Sequence, residues 1–598
     1  MSGGVSSYKI LAPKGYTNNK VMNAAVLELQ SLFKAATGYT LQIVTDDQAT
    51  YTKQTKYISL GGTTYAQDAG FTVSSALDTD GYEIKTKGAS VFILGQDYGT
   101  LYGVYGLMED LFDYEYYYKN VYNIEEKQTV YLTDVTEQLV TPDIENRASG
   151  YATTWAENDV YNPNRWKEKI YTNYVASVGG QHHHTAFSLL PPDTYKSAHP
   201  NWYSSQGDQL CYTAHGDANE YQAMVSAMVE AIKAVIKAKP DMEYIYLAGM
   251  DNDNACSCGN KYFNKSGCQK YKSDYGSDSA AYILFAKDVN KQIRAWLSSQ
   301  TEVNSDMEIL LLAYLGYEAA PTKNIADLVC EEGLVVVFAP IEIAYNRPLT
   351  DTTKSTIAAW KAVCSRIGFW FYDGVFGTIN EKGTVTGRGT SASYVPYYSI
   401  DILQSTYQYI VSIGAEYIFW EARSGGYGLR TNWDNLKMYL HSQLAWDSQA
   451  DVNEMMDGFF ANMYGDASKT MLALYNDMNA YMANLSKTVA GYPYGDWAYK
   501  KNWDKTELLS WYAYFDTALA DIEHLKTTDA TLYNKLHKHI VAERIGIGYM
   551  LIQFYGGTFS EGDLATYQAN LKADIIETGI QEGTTKGEAL YNSLMGIS

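Results

Sequence analysis

No run of about 20 apolar residues occurs in this sequence, so no part of it reads as a membrane span. The start, Met1-Ser-Gly-Gly-Val-Ser-Ser, has no basic segment followed by an apolar one, so no signal peptide is legible there. Positive charge is scarce: 46 Lys and Arg stand against 68 Asp and Glu, a formal net charge of −22. Nucleic acid and anionic membrane surfaces do not attract such a chain. Six cysteines are too few for a disulfide scaffold. No internal repeat and no low-complexity linker is visible.

What is present is a long, globular composition. The chain has 598 residues, 46% hydrophobic and 19% charged, enough for more than one domain with large cores. Aromatics reach 14%, with 55 Tyr and 12 Trp. They fit Tyr-rich cores, and they equally fit sugar binding, where ring faces stack on pyranoses and hydroxyls reach sugar oxygens.

The pattern predicts three parts, at 1–138, 139–432 and 433–598. In the first, strands are expected at Tyr8–Ala12, Leu41–Thr45, Tyr57–Leu60, Gly81–Thr86 and Val91–Gly95. Helices are expected at Asn18–Thr37, stopped by Gly38, and at Asp97–Phe112. In the second, strands and helices alternate as in a (β/α)8 TIM barrel. Its strands are expected at Asn146–Tyr151, Tyr174–Val178, Gln209–Thr213, Glu243–Ala248, Glu308–Leu315, Leu334–Phe338, Ile367–Tyr372 and Tyr417–Trp420. The third part reads as helices throughout.

The stretch Tyr244–Cys268 carries the strongest hint of chemistry. A buried strand, Tyr244–Ala248, runs through Gly249 and Met250 into Asp251-Asn252-Asp253-Asn254. Short polar side chains at the C-terminal end of a parallel strand make a poor core and a good site. The same run also reads as an Asx-rich turn that binds its own backbone or a cation. Only one of Asp251 and Asp253 is expected to enter the pocket.

Other predicted strands end on acids as well: Glu342, Asp373 and Glu421, with Glu318 a weaker candidate after Tyr317. Glycosidic cleavage needs a proton donor and a nucleophile, and burial among aromatics raises a carboxyl toward the donor's role. For N-acetylglucosaminides the substrate's own acetamide can attack, oriented by a carboxylate. Asp251, Glu342 and Glu421 are the catalytic candidates. His184, Asp253, Tyr317, Trp370, Tyr372, Asp373 and Trp420 are expected to contact substrate. Glu421 precedes Ala422 and Arg423, and a salt bridge to Arg423 would make it structural instead. Adjacent His182, His183 and His184 converge poorly on one ion, so no metal is assigned to them.

Several motifs carry a family resemblance. HHTAFSLLPPDTYKSAHPNWYS at 183–204, QLCYT at 209–213, GMDNDNACSC at 249–258 and YLHSQLAWDSQADVNEMMDGFFANMYG at 439–465 occur in order. The chain thereby resembles a bacterial family labelled domain of unknown function 4838, grouped with glycoside hydrolase family 163. That resemblance implies endo-β-N-acetylglucosaminidase activity on N-glycans, a glycan or glycoprotein partner and a secreted protein whose leader has been removed. Asp251 matches the family's Asp; Asp253 has no counterpart, and the third Cys, Cys268, lies farther on than usual. The first 130 or so residues resemble the accessory domain before the barrel of β-hexosaminidases and α-glucuronidases. The rival readings are an exo-acting α-glucuronidase-type hydrolase and a non-catalytic glycan-binding protein on a degenerate barrel.

No cofactor is expected. Cys256, Cys258 and Cys268, with the distant Cys211, fit either a structural zinc or a disulfide-braced loop, and simple bracing is preferred because Cys-x-Cys is an unusual zinc spacing. Cys330 and Cys364 read as buried free thiols.

Overall fold

The computed structural model describes residues 1–150, 165–169, 174–259, 267–387, 389, 391–422, 430–582 and 584–596. The first unit is a six-stranded sheet. Its strands are β1 (Lys9–Ala12), β2 (Gln42–Thr45), β3 (Tyr57–Leu60), β4 (Tyr82–Lys87), β5 (Ser90–Gly95) and β6 (Gln138–Val140), in the order β2-β1-β3-β5-β4-β6. Four are parallel; β4 and β6 join antiparallel. Helices α1 (Lys20–Thr37) and α2 (Asp97–Phe112) cover it. Asn19 caps α1 by accepting from the amides of Val21 and Met22, and Gly38 ends it at φ 73°. In α2, a Cβ at Gly103 or Gly106 would collide with Ile93 or Tyr82, so these glycines let the helix lie directly on the sheet.

The second sheet is six-stranded and wholly parallel. It contains β7 (Asn146–Ser149), β8 (Tyr244–Tyr246), β9 (Glu308–Ala313), β10 (Leu334–Phe338), β11 (Ile367–Tyr372) and β12 (Ala415–Glu421), in the order β8-β9-β10-β11-β12-β7. Laid flat, its edge strands would lie about 24 Å apart, at about 4.8 Å per gap. Instead, Asn146 Nδ2 on β7 donates to Tyr244 Oη on β8 at 2.6 Å. Tyr246 Oη likewise donates to Tyr417 Oη on β12 at 3.2 Å. The sheet therefore curls until side chains from its two ends meet inside.

Two expectations change here. Tyr174–Val178 contributes one isolated parallel bridge, Val175 to Tyr244, rather than a full strand among the described residues. Gln209–Thr213 is no strand of this sheet. Leu210 makes a single antiparallel bridge to Tyr203. Its neighbours Gln209 and Cys211 are fully buried and turn their side chains to the loop after β8, so side-chain bonds to that loop, rather than a backbone ladder, hold the segment.

Helices α3 (Ala218–Ala238), α4 (Ser279–Leu297), α5 (Asp351–Val363) and α6 (Ile400–Ser412) connect these strands. The chain then becomes helical. It runs through α7 (Asp434–Trp446), α8 (Val452–Tyr464), α9 (Ser468–Ser486), α10 (Lys505–Asp521), α11 (Ala530–Tyr555) and α12 (Glu561–Thr578). Every residue of α7 is buried, although it carries Asn435, Lys437, His441 and Gln443. One cluster of buried side chains runs from the first sheet through the second to these helices. Among the described residues no helix is long and apolar enough to cross a membrane.

The seam between the sheets holds a buried ion pair. Arg147 on β7 places Nη2 2.9 Å from Asp80 Oδ2, with both side chains almost wholly shielded. The guanidinium also faces the rings of Trp446 (4.8 Å) and Tyr102 (5.5 Å). Removing Arg147 leaves the buried Asp80 carboxylate with the more distant Lys169, 3.7 Å away. Arg147→Met is expected to destabilise the protein by about 3–5 kcal/mol. Denaturant unfolding checks this; a loss of under about 1 kcal/mol, as for an exposed pair, would contradict it.

Candidate active site

Alternation along the parallel strands decides what faces the interior. On β11, Trp370 and Tyr372 point inward; on β12, Tyr417, Phe419 and Glu421 do. Gly368 lies beneath Tyr417, whose Cβ would be 2.8 Å from an added methyl. Phe419 packs on Trp370 with ring centroids 4.1 Å apart, forming a floor. Above it, at the C-terminal ends of the strands, opens a cleft of about 1080 Å³. Its wall includes His183, His184, Asp251, Asp253, Tyr314, Glu342, Trp370, Tyr372, Phe376 and Glu421. Tyr492 and Tyr494 complete the rim from the loop between α9 and α10.

A buried glutamine clamps the loop after β8 from both sides of Asp251. Gln209 Nε2 donates to the Met250 carbonyl (2.8 Å) and to Asn252 Oδ1 (3.0 Å). The Met250 amide donates back to Gln209 Oε1 (2.9 Å). Asp251 stands between these two clamped residues, and Tyr314 Oη donates to its Oδ1 at 3.1 Å. Asp253 is exposed at the mouth of the cleft. His184 Nδ1 donates to the Gly249 carbonyl (2.8 Å), so in the neutral ring Nε2 is the acceptor. Beside it, His183 packs on Trp370 (4.7 Å). Burial first, then His184 and His182, push the His183 pKa down to about 4.

The carboxyls differ in setting. Burial pushes Glu421 up to about 7. Glu342 is exposed on the cleft wall. Glu318, off the wall, is pushed up to about 7 by burial and then by the charge of Glu342. Arg423, the expected partner of Glu421, lies outside the described residues.

A family model described as "Domain of unknown function (DUF4838)" matches residues 116–477, more than half of the chain. The chain belongs to the DUF4838 family. The DUF4838 match takes in all of the curled sheet and the cleft wall except Tyr492, Tyr494 and Gly495. No curated protein matches the chain in sequence. Among solved structures, it is similar to CpGH84D at 9% identity and TM-score 0.43, covering 99% of this chain and 94% of that one. A family 89 glycoside hydrolase from Clostridium perfringens is similar at 10% identity and TM-score 0.47, covering 94% and 66%. The Streptomyces plicatus N-acetyl-β-hexosaminidase is similar at 11% identity and TM-score 0.36, covering 76% and 90%.

Three residues expected at the substrate lie elsewhere in this DUF4838 fold. Asp373 follows the inward Tyr372 and so turns outward. There it meets His441 Nε2 (2.9 Å) and Lys437 Nζ (3.3 Å) of α7. Burial alone would raise its pKa, but those two groups hold it well below the usual carboxylate range. Trp420 also faces outward, packed against His441 with ring centroids 4.4 Å apart. Tyr317 is buried against Tyr212 (5.7 Å) and Tyr282 (5.2 Å), behind Gly249. Reading Gln209 and Tyr314 as site residues was open to sequence only through their neighbours: Gln209 opens the QLCYT motif, and Tyr314 sits two residues past Leu312 on the inward face of β9. Tyr492 and Tyr494 had one signal, exposed rings in a Gly-Tyr-Pro-Tyr-Gly turn.

Off the wall, the Sγ atoms of Cys211, Cys256, Cys258 and Cys268 gather within 4.8 Å of one another.

Because the Glu421 pKa is raised in the folded chain, the native state keeps a proton between about pH 4.5 and 7 that the unfolded chain has lost. The stability this gives is complete below about pH 4.5 and is lost as pH rises through about 7. Glu421→Gln, neutral at every pH, is therefore expected to melt higher than the parent at pH 8, with the gap closing by pH 5. A gap that does not vary with pH in thermal scans would contradict the burial of this carboxyl.

Proposed function

We propose that this protein is a glycosidase that cleaves at a β-linked N-acetylglucosamine within a glycan, on a (β/α)8-type barrel. The observation that carries the reading is the pairing, in one aromatic-walled cleft, of a clamped aspartate and a glutamic acid kept protonated to about pH 7. Trp370, Tyr314 and Tyr372 offer ring faces of the kind that stack on sugars. Glu421, protonated near neutrality, is suited to donate the proton to the leaving oxygen. Asp251, with Tyr314 donating to it, is suited to orient the substrate's acetamide as the internal nucleophile, which gives retention of configuration. Glu342, exposed on the cleft wall, is the second acid/base candidate. The motif resemblance described above points to the same activity and to N-glycans as the substrate class. A secreted location, and the division of the chain at about 138 and 432 into accessory, catalytic and helical parts, belong to the same reading.

The α-glucuronidase-type alternative would want cations for a uronate carboxylate. Among the described residues the cleft wall carries no Arg or Lys, and His183 is neutral above about pH 4.

The test is incubation with a biantennary N-glycoprotein and mass spectrometry of both products. Release that leaves one N-acetylglucosamine on the protein is expected, with Asp251→Asn slowing it by about 10²–10⁴-fold. Activity should fall as pH rises through about 7, when Glu421 loses its proton, and Glu421→Gln should be inactive across the range. Intact binding of glycans without any release would favour the binding-protein reading; an Asp251→Asn variant as active as the parent would remove Asp251 from the mechanism.

A further inference from the structure

We propose that Cys211, Cys256, Cys258 and Cys268 bind one zinc ion as a closed tetrathiolate site, which fixes the loop carrying Asp251. This goes beyond the glycosidase reading and does not depend on it. The four sulfurs come from separate parts of the chain: the segment before α3, the loop after β8, and the first residue of the helix Cys268–Tyr275. They nevertheless converge on one point. Cys211 Sγ is 3.4 Å from Cys258 Sγ and 3.8 Å from Cys268 Sγ. A tetrahedron with zinc–sulfur bonds of about 2.3 Å has sulfur–sulfur edges of about 3.8 Å.

The surroundings are shaped for sulfur that carries negative charge. The Cys268 amide points at Cys258 Sγ and the His215 amide at Cys211 Sγ, both at 3.2 Å. The Thr213 hydroxyl stands 3.3–3.4 Å from Cys211, Cys258 and Cys268. The backbone adopts unfavourable conformations to achieve this. Ala214 and His215 take φ of 44° and 55°, which side chains other than glycine rarely adopt. Gly267, at φ 91°, leaves space that a Cβ would fill, 2.9 Å from the Cys258 carbonyl and 3.1 Å from its sulfur. Four thiolates and no oxygen donor select a soft, tetrahedral ion such as zinc over magnesium or calcium. With all four positions taken by protein the ion is structural, with no place for a reacting water.

The consequence reaches the cleft. Cys211 is two residues from Gln209, which clamps Met250 and Asn252. Zinc on Cys256 and Cys258 would pin the far end of that same loop to the same short segment. Residues 250–256 would then be held at both ends.

The full chain, purified in metal-free buffer without chelator, should carry about one zinc by elemental analysis. Cys258→Ser and Cys268→Ser should lose it, while Cys330→Ser, remote from the cluster, should keep it. Cobalt exchanged for zinc should give the intense visible bands of tetrahedral thiolate coordination. Stripping the metal should speed amide exchange in 249–256 and 208–215, and adding zinc should restore it. Metal-free protein whose intact mass is lower by two hydrogens per bond would show two disulfides instead and overturn the proposal. Metal-free protein with four freely titrating thiols would overturn it too. Should the serine variants fail to fold, the parent's zinc content and cobalt spectrum decide alone.

Discussion

The interior tyrosines set the curvature on which everything else depends. A parallel sheet of six strands has no need to bring its edges together. Here Tyr244, Tyr246 and Tyr417 fill the inside, and their hydroxyls meet partners on strands from the far side. A buried phenol left without a partner costs about 1–3 kcal/mol, so a flatter sheet would leave several such groups stranded. Curling satisfies them together. It also aims the C-terminal ends of the strands at a common volume, and so turns residues far apart in sequence into one wall.

The same curvature explains the fully buried helix α7. It lies where the curled sheet, the first sheet and the C-terminal helices meet, so no face of it reaches water. Its polar residues are matched to what it covers. Lys437 pairs with Asp373 just past β11 and His441 hydrogen-bonds to it, and Trp446 packs against Tyr102 and the Arg147 guanidinium. The helix is thus a polar wedge, and the outward acid of β11 is part of its seat.

Strands and helices with strong periodicity were legible in the sequence: five strands of the first sheet, β8 to β12 and the C-terminal helices lie where apolar spacing puts them, while the short edge strand β6 was missed. Acids at strand ends were legible too, since Asp251, Glu342 and Glu421 sit on one wall. What the pattern could not supply was direction. Tyr372 and Asp373 are adjacent in sequence, as are Trp420 and Glu421, and the pleat sends the members of each pair to opposite faces. Gln209–Thr213 misled for a related reason, because its apolar and aromatic residues are buried by loops and by helix α4 rather than by a sheet. The grouping of Cys211 with the later cysteines was open to sequence as one alternative, and the fold brings its sulfur to 3.4 Å from that of Cys258, 47 positions on. The approach of Tyr492 and Tyr494 to the rim is a purely three-dimensional fact.

Beneath the cleft, Trp370 packs on Phe419 with the rings tilted by 36°, and the Tyr246 hydroxyl meets that of Tyr417. Among the described residues the floor of the cleft is therefore aromatic, and the carboxyls of its wall stand over rings.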